Sequence, residues 1–142
     1  YMLKFIKTFS EIFLPVFTGV FMFVSGYGHL FLAAEEIELL VPAWSPLSPK
    51  AMVIVTGYIE ITIGLAFIFI RSKIHIVGWI LVVFLLLVFP GNLYQYSNDI
   101  DAFGLNTPGK RLARLIFQPF IILWVLYVSG NLNKLIPLKT NK

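Results

Sequence analysis

Four apolar stretches, each close to 20 residues long, constrain the fold of this chain more than any other feature of its sequence. A helix of about 20 residues crosses the hydrocarbon core of a bilayer. Inside lipid, only helices and closed barrels satisfy every backbone polar group, and continuous apolar runs of this length indicate helices. The sequence therefore predicts an all-α membrane protein, a four-transmembrane-helix bundle within a single transmembrane domain covering residues 1–142. Its spans lie at about residues 12–32, 51–70, 74–96 and 112–128.

Composition excludes several other classes of protein. The 142 residues are 58% hydrophobic and 13% charged, whereas soluble domains carry about 25% charged residues. Cysteine is absent from the sequence, which excludes disulfides, thiolate metal sites and thiol redox relays within it. The net charge of +4 does not indicate nucleic-acid binding, because the basic residues lie at the ends of the spans. We expect the bilayer to be the main partner.

The distribution of charge predicts the orientation of the bundle. According to the positive-inside rule, the cytoplasmic segments of a membrane protein carry an excess of lysine and arginine. One side of the membrane receives Lys4, Lys7, Arg71, Lys73, Lys134, Lys139 and Lys142. The other side receives Lys50, Lys110 and Arg111 beside Glu35, Glu36, Glu38, Asp99 and Asp101. We therefore expect both termini in the cytoplasm of a multi-pass cell-membrane protein, with the two longer loops facing outward.

The connections between the spans have different lengths. Only Arg71–Lys73 separates the second span from the third, which predicts an antiparallel helical hairpin. In the first outer loop, Ala33–Leu40 has apolar residues opposite three glutamates, the pattern of a short amphipathic helix. Pro42 is expected to end that helix.

Glu60 is a carboxylate in the middle of the otherwise apolar stretch Ala51–Ile70. A charge near the bilayer midplane costs about 2.5–3.5 kcal/mol on insertion scales. Gly57 and Gly64 lie three residues before and four residues after it, so all three share one helix face. Because small residues let a neighbouring membrane helix approach closely, Glu60 is predicted to face the bundle interior.

Other polar residues cluster near the outer ends of the remaining spans. His29 lies on the first span, and Asn92 follows Pro90, which is predicted to break the third helix. Convergence of these faces would form a polar site at the mouth of an apolar cleft. The predicted ligand-binding residues are His29, Glu60, Asn92, Arg114 and Gln118; the pattern predicts no catalytic residue and no metal ligand.

The same residues also allow a structural interpretation. Glu60 and Arg114 could form a buried ion pair that fixes helix register without binding any ligand. His29 could be a paired interior histidine, and Asn92 could satisfy carbonyl groups freed by Pro90. Both interpretations of the cluster stay open at the level of sequence.

These motifs resemble the DoxX family of small four-helix membrane proteins. The resemblance covers roughly residues 15 to 128, with its motifs in order. The family pattern usually has alanine and proline where this chain has Gly91 and Leu115. The matching segments are Gly26-Tyr27-Gly28-His29, Val41-Pro42 through Pro46, Thr56-Gly57-Tyr58-Ile59-Glu60 with Gly64, Val88-Phe89-Pro90-Gly91-Asn92, and Arg114 and Gln118 before Trp124.

The resemblance implies a bacterial inner-membrane protein linked to membrane redox systems. We therefore expect an accessory component of a membrane redox or envelope complex, with other membrane or envelope proteins as partners. It would bind a quinone- or lipid-like amphipathic molecule near the outer face, carry no intrinsic cofactor and have no catalytic activity alone. The alternative is a purely structural or assembly subunit, chaperone-like and without a small-molecule ligand.

Overall fold

A computed structural model describes residues 1–137 of the chain, and the described part contains helices and no strand. Four of the helices are long and apolar enough to cross a membrane. The prediction of an all-α, multi-pass membrane protein with four long helices is confirmed. Lys139 and Lys142, used above to orient the chain, lie outside the described residues. The α-helices are α1 (Met2–Phe31), α2 (Ala34–Glu38), α3 (Pro49–Phe69), α4 (Ile74–Ser97), α5 (Pro108–Val128) and α6 (Leu132–Leu135).

The helices α3 and α5 begin with the same capping arrangement. The Ser48 hydroxyl oxygen accepts a hydrogen bond from the Ala51 amide at 3.3 Å, and proline occupies the first position of the helix. The Thr107 hydroxyl oxygen likewise accepts from the Lys110 amide at 3.2 Å, again before a proline. Each cap satisfies an amide that the first helical turn leaves without a partner.

Three helices, α1, α4 and α5, differ from the sequence prediction, and α5 begins at Pro108, four residues before its predicted start. The helix α4 continues through Pro90 to Ser97, so the predicted break at Pro90 is wrong. A proline costs its helix one backbone hydrogen bond, here the one that the Leu86 carbonyl would accept. The Gln118 side-chain amide donates to the adjacent Leu85 carbonyl. The helix α1 begins at Met2, ten residues before the predicted start.

The contacts of Arg71 show where the N-terminal part of α1 begins to extend beyond the other helices. Its guanidinium donates to the Glu11 and Ile12 carbonyls, and the Ile12 distance is 3.3 Å. Arg71 itself lies in a single 3-10 turn, Arg71–Lys73, between α3 and α4. Residues 2–10 therefore extend past this turn. We call this end of the bundle the hairpin end, and the end carrying residues 32–48 and 98–107 the loop end.

The four long helices form a ring in the order α1, α3, α4 and α5. The helix α1 packs mainly on α3, and α4 packs mainly on α5. The contacts between α3 and α4, and between α1 and α5, are fewer, and within residues 1–137 the backbones of the diagonal pairs α1/α4 and α3/α5 are not in contact. The shared core includes Met22, Ile63, Phe67, Leu81 and Val125.

Two glycine pairs bring α1 and α3 into backbone contact. A methyl group added to Gly19 would lie 2.6 Å from the Gly64 carbonyl oxygen, and one added to Gly64 would lie 2.6 Å from the Gly19 carbonyl oxygen. Nearer the loop end, a methyl group on Gly26 would lie 2.7 Å from the Gly57 carbonyl oxygen. This contact depends on the absence of side chains, as small-residue packing between membrane helices requires.

The connections at the loop end are tied to the bundle and to each other. The prediction of a short helix in the first loop is confirmed by α2, whose Glu36 accepts a hydrogen bond from the Phe103 amide. Leu40 is buried just after α2, and its carbonyl would be 3.3 Å from a methyl group on Gly91 of α4. The two loops thus cover part of the bundle's open end.

Arg111 holds the second of these loops. Its guanidinium lies 3.0 Å from an Asp99 carboxylate oxygen, 2.8 Å from an Asp101 carboxylate oxygen and 3.1 Å from the Leu105 carbonyl. The loop also has positive φ angles at Asp99 (52°) and Phe103 (57°), conformations that L residues rarely adopt. The ion pairs offset the cost of these conformations.

Replacing Arg111 with glutamine is expected to release this loop while the helices remain folded. The loss of hydrogen bonds to charged groups should destabilise the local structure by about 1.5–3 kcal/mol. Hydrogen exchange should accelerate at the amides of residues 99–105. Lys50→Gln, which removes an exposed cation at the same end of the bundle, is the control. Unchanged exchange in the Arg111 variant would contradict a loop-holding role.

Candidate functional site

The His29–Glu60 pair joins α1 to α3 near the loop end. The Glu60 side chain lies beside Gly26, where a methyl group would be 2.9 Å from the Glu60 Cβ atom. His29 lies nearly one turn farther toward the loop end, and its Nδ1 atom is 2.8 Å from Oε2 of Glu60. The close glycine contact thus places the imidazole within reach of the carboxylate.

The geometry of this pair is incomplete as a hydrogen bond. Glu60 is 7% exposed, and its buried Oε2 atom has no well-aligned hydrogen-bond donor among residues 1–137, although the His29 nitrogen is close. The His29 side chain is 27% exposed. An imidazolium–carboxylate pair and an imidazole–carboxylic acid pair both have zero net charge. The pair can therefore reside in the membrane without an isolated charge.

Arg114 does not pair with Glu60. Its Nη1 atom donates to Oε1 of Gln95 at 2.8 Å, and its guanidinium carbon lies 5.0 Å from the centre of the Phe103 ring. The predicted Glu60–Arg114 ion pair is wrong in this structure. The reason is the helix order, since α3 and α5 occupy diagonal positions in the ring, whereas α1 lies directly beside Glu60.

Gln95 is a buried polar residue that the sequence analysis missed. It is 1% exposed, accepts from Arg114, and donates to the Ile100 and Ala102 carbonyls at 3.2 and 3.3 Å. Gln95 follows Asn92 by three residues, a spacing that places both on one face of a helix. Because both residues lie within the predicted span 74–96, this spacing was the sequence signal that could have found Gln95.

The other two predicted site residues bind each other. The Asn92 side-chain amide donates to the Gln118 side-chain oxygen, and Gln118 in turn donates to the Leu85 carbonyl. This chain of bonds joins α4 to α5. Buried amides with mutual partners are typical of structural polar contacts.

The five predicted residues therefore lie in three places. His29 and Glu60 join α1 to α3, Asn92 and Gln118 join α4 to α5, and Arg114 lies against Gln95 and Phe103. Among the described residues, no group of three or more histidine, cysteine, aspartate and glutamate side chains is placed to hold a metal ion. The pair with an incompletely satisfied buried atom, His29–Glu60, is the candidate functional site.

Comparison with protein families matches residues 18–129 to one described as a domain of unknown function, DUF8561. The matched segment includes all five predicted site residues and the glycines that join α1 to α3, and it excludes the part of α1 that extends past the hairpin end. No curated protein and no solved structure matches the chain.

Proposed function

This chain belongs to the DUF8561 family, and we propose that it is a membrane subunit that binds a quinone- or lipid-like amphipathic molecule near the loop end. It serves as an accessory component of a membrane redox or envelope complex. The observation that carries this proposal is the buried Glu60 carboxylate oxygen that lies beside His29 without an aligned donor.

The pair provides suitable chemistry for the head of such a molecule. Within the part of the chain that the structure describes, His29 makes no side-chain hydrogen bond beyond its close contact with Glu60, and it retains exposed surface. Its second ring nitrogen can donate to a carbonyl or hydroxyl oxygen of a ligand. Shortening of the His29–Glu60 contact on ligand binding would rotate the imidazole ring, so that its Nδ1–H group points at the Glu60 carboxylate.

The Glu60 carboxyl group favours a ligand with a neutral head over one with an anionic head. A quinone carbonyl or a lipid hydroxyl gains a hydrogen bond there, whereas a phosphate would lie beside a carboxylate. The apolar helix surfaces next to His29, including the exposed Phe31 and Leu32 side chains, suit the tail of an amphipathic molecule. Electron transfer through the subunit would require the quinone itself or a partner subunit.

The same proposal assigns the molecule a membrane and an orientation. The positive-inside distribution of lysine and arginine supports cytoplasmic termini and an outward-facing loop end. The resemblance to DoxX-like proteins supports the bacterial inner membrane and an accessory role. The ligand would then enter from the outer leaflet.

Binding of a short-tailed benzoquinone to the protein in nanodiscs tests the proposal. Glu60→Gln removes the charge but keeps the size of the side chain, and it should weaken binding about tenfold, as expected for the loss of a charge-assisted hydrogen bond. A diacylglycerol serves as a second probe with hydroxyl chemistry. His75→Ala is the matched control, because His75 is exposed at the hairpin end and contributes only its backbone carbonyl to a described hydrogen bond. Equal binding of both probes to all three proteins would refute the proposal.

The alternative function is a structural or assembly subunit without a small-molecule ligand. The mutual pairing of Asn92 with Gln118, and of Gln95 with Arg114, favours it, since these groups join helices and leave little polar capacity free. In that case, neither probe binds, and partner proteins that co-purify with the native chain are lost when Glu35, an exposed residue of α2, is replaced with glutamine.

A further inference from the structure

A shallow groove runs along the loop-end half of α5, on the surface that faces lipid. Its volume is about 560 Å³. Lys110, Arg114 and Phe117 follow one another at spacings of four and three residues, which places them on one helix face. The groove is lined by Phe103, Leu105, Lys110, Ala113, Arg114 and Phe117.

The two cations of this groove have no acidic partner among residues 1–137. Arg114 donates to the neutral amide of Gln95, and Lys110 donates to the Asn106 side-chain oxygen at 3.1 Å. No carboxylate of residues 1–137 lies within 4.0 Å of either cation. The groove therefore carries two positive charges that its protein surroundings leave uncompensated.

The neighbouring carboxylates are already bound elsewhere. Asp99 and Asp101 both pair with Arg111, whose own side chain is buried. Glu36 accepts a hydrogen bond from the Phe103 amide. An anion for Arg114 and Lys110 would therefore come from outside the described chain.

The depth of the two cations matches the interfacial layer of a bilayer. With a rise of 1.5 Å per residue, the 21 residues of α5 span about 31 Å, close to the thickness of the hydrocarbon core. Lys110 is the third residue of α5, and Arg114 lies about 9 Å from the start of the helix. Because long basic side chains extend toward the interface, both charges can reach the phosphate layer.

We propose that this groove binds an anionic glycerophospholipid. The Arg114 guanidinium and the Lys110 ammonium contact its phosphate, which suits the planar donors of arginine and the point charge of lysine. Phe117 is exposed and lies one turn deeper, where it packs against an acyl chain. This site is separate from the His29–Glu60 pair and does not rest on the ligand proposed there.

Native mass spectrometry of the protein released from nanodiscs of phosphatidylcholine and phosphatidylglycerol tests this site. The wild-type protein should retain phosphatidylglycerol in preference to phosphatidylcholine. Lys110→Gln and Arg114→Gln should each reduce that preference about fivefold, as expected for one basic residue near an anionic surface. Arg114→Lys should restore most of it, which a purely structural role in binding Gln95 would not explain. Lys50→Gln, which removes an exposed cation outside the groove at the loop end, should leave it unchanged.

Two further measurements distinguish a lipid from a free phosphate. Ala113→Trp should fill the apolar part of the groove and reduce retention while leaving both cations in place. Soluble glycerol phosphate should compete only weakly, because it lacks acyl chains. Equal loss in the Lys50 and Lys110 variants, full competition by glycerol phosphate, or no preference for phosphatidylglycerol in the wild-type protein would each overturn the proposal.

Discussion

Replacing His29 with alanine is expected to lower the free energy of unfolding by about 3 kcal/mol. Removing one member of a buried pair costs about 3–5 kcal/mol, because the remaining group is left uncompensated. The lower end applies here, since His29 is 27% exposed and Glu60 is almost fully buried. Unfolding by sodium dodecyl sulfate titration, followed by circular dichroism in mixed micelles, measures the change.

A double-mutant cycle assigns that loss to the pair. Glu60→Gln removes the buried charge, so the His29→Ala change should cost less in the Glu60→Gln background than in the wild type. A coupling energy of about 2 kcal/mol is expected for residues in direct contact. The corresponding cycle between Glu60 and Arg114 should be additive, because those side chains contact different groups. Additivity of His29 with Glu60 would contradict the pair.

Replacing Gly64 with alanine is expected to separate α1 from α3 and to destabilise the protein by about 3 kcal/mol, the upper part of the usual range for overpacking. The added methyl group would lie 2.6 Å from the Gly19 carbonyl oxygen and 2.7 Å from the Phe23 amide nitrogen. Both atoms belong to the backbone of α1, so neither can move without displacing the helix. The same detergent titration measures the effect.

Gly28→Ala is the matched control for the glycine prediction. Gly28 lies on α1, the helix that Gly64 contacts, but a methyl group there would meet no neighbouring atom of residues 1–137 within 4 Å. Alanine is also the better helix former by about 1 kcal/mol, so this variant should be as stable as the wild type or slightly more stable. If Gly64→Ala were equally well tolerated, the α1–α3 interface would have to be looser than the structure has it.

The His29 and Gly64 predictions both concern the contact between α1 and α3. The contact of Gly26 with Gly57 brings α1 close enough for His29 to reach Glu60. We therefore expect Gly57→Ala, which would place a methyl group 2.6 Å from the Leu30 side chain, to weaken the His29–Glu60 coupling as well as the helix packing. The site depends on the interface beneath it.

Most of the fold could be predicted from the sequence because its causes are local. Lipid requires each apolar stretch to satisfy its own backbone, so length and hydropathy alone indicate four helices. The short helix α2 follows from the apolar spacing after Ala33. The inward orientation predicted for Glu60 also agrees with the structure, since its flanking glycines lie against α1.

The partners of the polar residues could not be predicted in the same way. The same helical period that places Glu60 inward leaves the identity of its neighbour open, because several ring orders of four helices satisfy the same hydropathy. From the sequence, Arg114 was the expected partner of the Glu60 carboxylate, whereas in the structure that partner is His29 of α1. Gln95 was missed because its role depends on the carbonyls of a loop that folds back over it.

The sequence by itself determined that the chain has four helices able to cross a membrane, which apolar stretches form them, and which polar residues must be sheltered from lipid. Each of these follows from the cost of exposing backbone or charge to hydrocarbon. Only the tertiary structure decided which sheltered groups meet. Pairing of Asn92 with Gln118 depends on α5 lying beside α4. Pairing of Glu60 with His29 depends on the glycines that let the backbones of α1 and α3 come into contact. Neither helix specifies this close approach alone.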